Sequence, residues 1–305
     1  MFINFPIRRR RVARVLGTLA LCSAIGIGTS ACGNGTSDVA VDKGVLSVAA
    51  SVSQWGTMAQ ALGGEYVTVT TAITNAAADP HDYEPTASDI AGIASADVVV
   101  TNGAGYDTWA TDALRRDDAV TVDVAALNGT TTGDNPHLWF SSDARSAAAD
   151  AITEAYVNAD PAHADAYQQL HASWRERERQ LDADIAALRE SAASSTYAAT
   201  ESAADYLVDA IGLTDVTPQG YRQATANEGE ASPSDLKTFT DIVDAKAAQL
   251  LIVNNQHSSA ASEQIAAAAK QSGVPIVDIG EQLPEHHDDV IEWVHELVAQ
   301  MSDVL

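Results

Sequence analysis

From residue 45 onward the chain alternates β-rich apolar runs with helical patterns, in two separate sets with one long helical stretch between them. This alternation limits the folds open to it more than any other feature. Strand-like runs fall at 45–50, 66–72, 97–101 and 120–124, with helical segments such as 55–62 and 87–94 between them. A second set has strand-like runs at 195–200, 249–254 and 274–279, and helical segments at 202–211, 233–245 and 260–271. Alternating strands and helices are the signature of βα units built around a parallel sheet. The expected fold is therefore α/β, with two lobes, each a mostly parallel sheet flanked by helices, joined by one long helix. Asp160-Pro161 offers an N-cap and a first-position proline for that helix. Tyr167, Leu170, Trp174, Leu181, Ile185 and Leu188 keep helical spacing to about residue 190. At 1.5 Å per residue it would run roughly 45 Å, long enough to pass from one lobe to the other as a stiff hinge. The expected division is an N-terminal lobe at 44–159, the linking helix at 160–190 and a C-terminal lobe at 191–305.

Residues 1–32 differ from the rest. Arg8, Arg9, Arg10, Arg11 and Arg14 precede an apolar, small-residue run that leads to Thr29-Ser30-Ala31-Cys32. This pattern reads as an export signal with a lipobox, which makes Cys32 the expected lipid-bearing first residue of the exported chain. Thr29 stands where lipoboxes usually carry Leu, so ordinary cleavage or a retained anchor are the alternatives. Residues 33–43 form a polar tether. The only other cysteine, Cys22, lies in the leader, so the exported part has no disulfide.

The leader holds five of the 17 basic residues and none of the 42 acidic ones, so the exported chain has a formal charge of 12 − 42 = −30. Such a surface repels phosphate backbones and excludes nucleic acid as the expected partner.

Two loop histidines stand out, each directly after a proline: His81 in Pro80-His81-Asp82-Tyr83-Glu84-Pro85-Thr86 and His137 in Asn135-Pro136-His137-Leu138-Trp139. A lone loop histidine is usually solvated, but two in such contexts within one lobe suggest a shared metal. Together with Ala96-Asp97-Val98-Val99-Val100-Thr101-Asn102-Gly103, Gly212-Leu213, Glu230-Ala231-Ser232-Pro233 and Val274-Pro275-Ile276-Val277, these stretches resemble the metal-binding proteins, periplasmic or lipid-anchored, that serve zinc and manganese ABC importers. The resemblance covers nearly all of the exported chain. It implies two α/β lobes on one long helix, and a third and a fourth ligand from the second lobe.

The third position of that pattern falls on Glu201, whose ordinary alternative role is a first-turn helix carboxylate. The fourth falls on Glu281, in Glu281-Gln282-Leu283, or on Asp278, which is expected to lie still within the strand. The implied ligand set is thus His81, His137, Glu201 and Glu281. All four follow expected parallel strands, where open α/β sheets bind ligands. Two imidazoles and two carboxylates suit Zn²⁺ or Mn²⁺. Glu in the third place resembles the manganese branch, whereas the Glu-Ala-Ser-Pro and Glu-Gln-Leu-Pro stretches resemble a zinc group.

The resemblance implies an extracytoplasmic monomer, lipid-anchored at the outer face of the cytoplasmic membrane, that delivers metal to an ABC permease and its ATPase. A storage or adhesive lipoprotein is the alternative. A zinc hydrolase is disfavoured: four protein ligands leave no open position for water, and the chain has no His-Glu-x-x-His helix or Gly-x-Ser-x-Gly elbow. His286-His287-Asp288-Asp289 is expected to cap and solubilise the last helix, with an auxiliary metal site as the alternative. His257 is expected to line the cleft or hydrogen-bond to a ligand, and His163, His171 and His295 to lie on exposed helix positions.

Overall fold

The computed structural model describes residues 44–75, 83–114, 119–227 and 229–305. The expected leader with Cys32, the tether and His81 lie outside them. Both core-forming halves begin after residue 45, so residues 33–305 contain the whole described core.

The first half runs β1 (Leu46–Val52), α1 (Ser53–Gly63), β2 (Val67–Ile73), α2 (Ala87–Ser95), β3 (Val98–Thr101), α3 (Thr108–Ala113), β4 (Val120–Asp123), α4 (Val124–Asn128) and α5 (Ser142–Ala159). After the long helix α6 (Ala164–Ser191) come β5 (Thr196–Ala199), α7 (Asp205–Ile211), β6 (Thr214–Asp215), α8 (Gln219–Ala226), α9 (Pro233–Asp244), β7 (Leu250–Asn254), α10 (Ala260–Ser272), β8 (Ile276–Ile279) and α11 (Val290–Val304). The strands form two parallel four-stranded sheets, ordered β2-β1-β3-β4 and β6-β5-β7-β8. Both sheets have the same topology although the halves show no obvious sequence repeat. The α/β fold with two sheets and one long helix is as expected from the sequence.

Local chemistry accounts for the elements. The central strands are apolar on both faces, as strands covered by helices on two sides must be: Val98, Val99 and Val100 are all fully buried. In α1 the buried residues Trp55, Met58, Ala59 and Leu62 recur at i, i+3, i+4 and i+7 and form one core-facing stripe. Helix α6 turns Tyr167, Trp174, Leu181, Ile185 and Leu188 inward. It packs on α1 and α5 of the first half and on α7 and α11 of the second. One buried cluster runs from Leu46 and Val100 through Trp174 and Leu181 to Leu207 and Trp293, so the two halves share a core instead of meeting through a flexible linker.

Three details depart from the sequence reading. Pro161 opens a single 3₁₀ turn (Pro161–His163), and α6 begins at Ala164 without a capping bond from Asp160. The Asp160 carboxylate is engaged elsewhere, 2.6 Å from His163 Nδ1 and accepting from the Tyr167 hydroxyl at 3.0 Å. His163 also stacks on Tyr66, so it is not a free surface residue. Helix α7 starts at Asp205 and not at residue 202: Ser202–Ala204 make turns that bury Ala203 and Ala204 before the helix begins. Among the described residues, no helix is long and apolar enough to cross a membrane.

Candidate metal centre

The carboxyl ends of the parallel strands bring the chemistry together. β5 ends at Ala199 and Glu201 follows two residues later; β8 ends at Ile279 and Glu281 follows two residues later. β7 ends on Asn254 itself. From the first half, the segment after α4 carries His137, and the segment after β3 carries Tyr106. This is the edge at which open α/β sheets present ligand-binding groups.

His137 is 5 % exposed and its ring is firmly oriented. Nδ1 lies 2.6 Å from Asn135 Oδ1, and the same oxygen accepts from the His137 backbone N–H at 3.0 Å. Asn135 Oδ1 is an acceptor here because its amide nitrogen donates to Ser202 O at 2.8 Å. The proton is therefore assigned to Nδ1, which leaves Nε2 with its lone pair outward. Nε2 is buried and makes no hydrogen bond of acceptable geometry, yet it stands 3.3 Å from Glu281 Oε2. A lone pair facing a carboxylate at that distance calls for a positive charge between or beside them.

Glu281 is 3 % exposed. Its backbone N–H donates to Gln256 Oε1 at 2.7 Å, and its backbone carbonyl accepts from the Gln54 side-chain amide across the two halves. Gly280 makes room for this clasp, since a Cβ there would meet Gln256 Nε2 at 2.5 Å. The Glu281 carboxylate also accepts from Tyr106 OH at 3.4 Å.

Asn254 joins the two acids. Its Nδ2 donates to Glu281 Oε1 at 2.9 Å and to Glu201 Oε2 at 2.6 Å, while its Oδ1 accepts from Gln256 N–H at 3.0 Å and so fixes which way the amide points. His257 Nδ1 lies 2.8 Å from Glu201 Oε1. Burial pushes the Glu201 carboxyl above the usual range, against the Asn254 bond and the His257 ring, with the neighbouring Glu281 charge adding to the rise. Glu201 sits in the turns before α7, not in the helix's first turn.

The structure thus gathers His137, Glu281 and, through Asn254, Glu201. Asp278 lies within β8 on an exposed face, paired in register with Val253, and takes no part in this cluster. His81 lies outside the described residues. The chain resumes at Tyr83, which is pinned by its hydroxyl to Asp89 Oδ2 (2.7 Å) and packs on Trp109. Thr86 and Asp89 form a capping box that starts α2 on the same segment.

Around His137 the walls are aromatic: Trp139 lies 5.4 Å away edge-on, and Tyr106 lies 5.5 Å from Trp139. Tyr106, Gln54, Asn254 and Asn102 were not singled out from sequence. Asn102 receives Trp55 Nε1–H at 3.0 Å and donates to Pro136 O at 2.9 Å, holding the His137 loop to α1. A polar residue at the carboxyl end of an apolar strand, Asn254 as the last residue of β7 and Asn102 directly after β3, was the available signal.

The sequence model of the family described as zinc-uptake complex component A, periplasmic (ZnuA), matches residues 48–304. The chain is 27 % identical over 234 residues to the iron-binding protein YfeA of Yersinia pestis, covering 72 % of this chain and 74 % of that one. It is 26 % identical over 266 residues to the manganese-binding lipoprotein MntA of Bacillus subtilis, covering 83 % and 84 %. The solved structure of the periplasmic zinc-binding protein TroA from Treponema pallidum shares the fold, with a TM-score of 0.69 at 18 % identity over 86 % of this chain and 99 % of that one. The names of these three relatives span three different metals.

Proposed function

We infer the function from the premise that the chain belongs to the zinc-uptake complex component A family: it is an extracytoplasmic, metal-binding solute-binding protein of an ABC importer, with a permease as its partner. The family is one of transport binding proteins and not of enzymes. A divalent metal, manganese, zinc or iron, is the bound substrate.

Our finer reading is that His81, His137, Glu201 and Glu281 hold the metal. The observation that carries it is the buried, unbonded Nε2 of His137 aimed at Glu281 Oε2, 3.3 Å away, between the two halves. Two carboxylates would balance the charge of a dication, and two neutral imidazoles would complete a shell of N and O donors. Burial raises the Glu201 carboxyl, so metal binding there would weaken as the pH falls. The choice between Zn²⁺ and Mn²⁺ follows supply more than affinity, because a site of this kind binds zinc tightly in vitro whichever metal it carries in the cell; the iron-binding relative makes Fe²⁺ a third candidate to be tested. Since the halves share one core and α6 packs on both, loading would bring modest lobe movement, and the loaded lobe faces would be what the permease reads. A lipid on Cys32 would keep this monomer beside the permease and its ATPase. The strongly acidic surface leaves nucleic acid without a role.

The test is competitive titration of metal-stripped residues 33–305 with Mn²⁺, Fe²⁺ and Zn²⁺, paired with growth of a strain lacking the gene in metal-limited medium. One tight equivalent, and growth restored by wild type but not by His137→Ala, supports the reading. Tight binding with normal growth of the deletion strain would turn it towards storage or adhesion.

A further inference from the structure

We propose that His286, His287 and Glu296 form a second metal site of the zinc class, at the start of α11 and separate from the His137–Glu281 centre. Among the described residues, the ligand atoms of these three side chains all lie within 4.8 Å of one another. His287 Nε2 is 2.9 Å from Glu296 Oε2, and His286 Nε2 is 3.7 Å from the same oxygen. In a tetrahedral shell with bonds near 2.0–2.1 Å, neighbouring donor atoms sit about 3.3–3.4 Å apart. The two observed separations bracket that edge, so small side-chain rotations admit an ion.

The independent sign of a ligand is His287. Its side chain is 5 % exposed, and its Nδ1 is buried without a hydrogen-bond partner. Histidines that bind metal through one nitrogen usually place the other against a carboxylate. Here Glu292 Oε2 stands 3.9 Å from Nδ1, just beyond hydrogen-bond reach, and accepts from Asp288 N–H at 3.0 Å. Glu292 and Glu296, four residues apart, share one face of α11.

The backbone under the site is also fixed. His287 N–H closes a turn on Pro284 O at 3.1 Å. Asp289 caps α11 and is gripped by Arg177 of α6 at 2.5 and 2.9 Å. The rings of His286 and His287 lie 4.2 Å apart between centroids. Two protonated rings that close repel each other, whereas one shared cation holds both neutral rings together. Two imidazole nitrogens and one carboxylate favour zinc over manganese. His286 and Glu296 are partly solvent-exposed, at 68 % and 44 % of their side chains, which leaves the remaining coordination positions to water and makes this the weaker site. A metal there would tie the segment that leads from Glu281 to the last helix.

The experiment is Zn²⁺ titration of metal-stripped residues 33–305 against a chromophoric chelator, for wild type, His286→Ala, Glu296→Gln and His137→Ala. Wild type should take two equivalents, one tight and one weaker. His286→Ala and Glu296→Gln should each lose the weaker equivalent and keep the tight one, with unchanged circular dichroism. Persistence of both equivalents in these two variants, or uptake of a single equivalent by wild type, overturns the proposal. His137→Ala separates the two claims: it should keep the weaker equivalent and lose the tight one, and retention of the tight one refutes the first assignment while leaving the second standing.

Discussion

His137 Nε2 and Glu281 Oε2 stand 3.3 Å apart although the whole of α6 lies between them in the chain. The contact joins a loop of the first half to the segment that follows β8 of the second. Around it, Asn135 Nδ2 donates to Ser202 O and Tyr206 OH donates to Asn135 O, both at 2.8 Å, so the His137 loop and the Glu201 segment are already clasped. A metal at this place would add a bond between surfaces that already touch, so the proposed site would need no large domain closure.

Asn254 should act through the two acids it bridges. Replacing it with Ala leaves Glu201 and Glu281 facing each other without the shared donor. Partners of ligand residues typically contribute about 10–100-fold in metal affinity, and Asn254→Ala is expected to weaken binding by that order. Isothermal titration checks it; unchanged affinity would show that the amide merely fills space.

The buried ion pair between Arg145 and Glu178 should be costly to break. Arg145 is fully buried, contacts both Glu178 oxygens at 2.6–3.1 Å, and donates to Trp139 O at 2.9 Å, two residues beyond His137. Removing one partner of such a pair strands a buried charge and costs about 3–5 kcal/mol. Glu178→Ala should show that loss in urea denaturation, and Arg145→Met with Glu178→Leu should recover a large part of it.

Much of the fold was legible in the sequence, and the exceptions have physical causes. Runs such as Val98-Val99-Val100 announce buried parallel strands by composition alone, and α6 announces itself by periodicity. The two-residue β6 carries no pattern because Thr214 and Asp215 are held by pairing with β5, a tertiary fact. The late start of α7 was hidden because Ser-Ala-Ala suits a helix locally, and the packing of Ala203 and Ala204 overrides it. At the site, the strand alternation that turns Asp278 outward while Val277 and Ile279 point in was readable from a period of two. The convergence of Tyr106, Gln54 and Asn254 on Glu281 was not, since it depends on how the two halves face each other.

Tyr83 gives a pH prediction at the segment that follows His81. Burial, and then the Asp89 carboxylate that accepts its hydrogen bond, push the phenol up to about 12. An unfolded tyrosine ionises near pH 10. Between about pH 10 and 12 the folded chain keeps a proton that the unfolded chain loses, so the stability from Tyr83 is complete below that window and is lost as pH rises through it. The difference between the phenolate titrations of wild type and Tyr83→Phe should centre near pH 12. A difference centred near pH 10 would show that Tyr83 is free of Asp89 in solution.

The identity of the ligands is read most directly by anomalous diffraction from crystals of residues 33–305 soaked in Zn²⁺ or Mn²⁺. A peak is expected within bonding distance, about 2.0–2.2 Å, of His137 Nε2 and of carboxylate oxygens of Glu201 and Glu281, with His81 completing the shell. A strong peak that touches neither His137 nor Glu281, or one bound through Asp278 in place of Glu281, would contradict it.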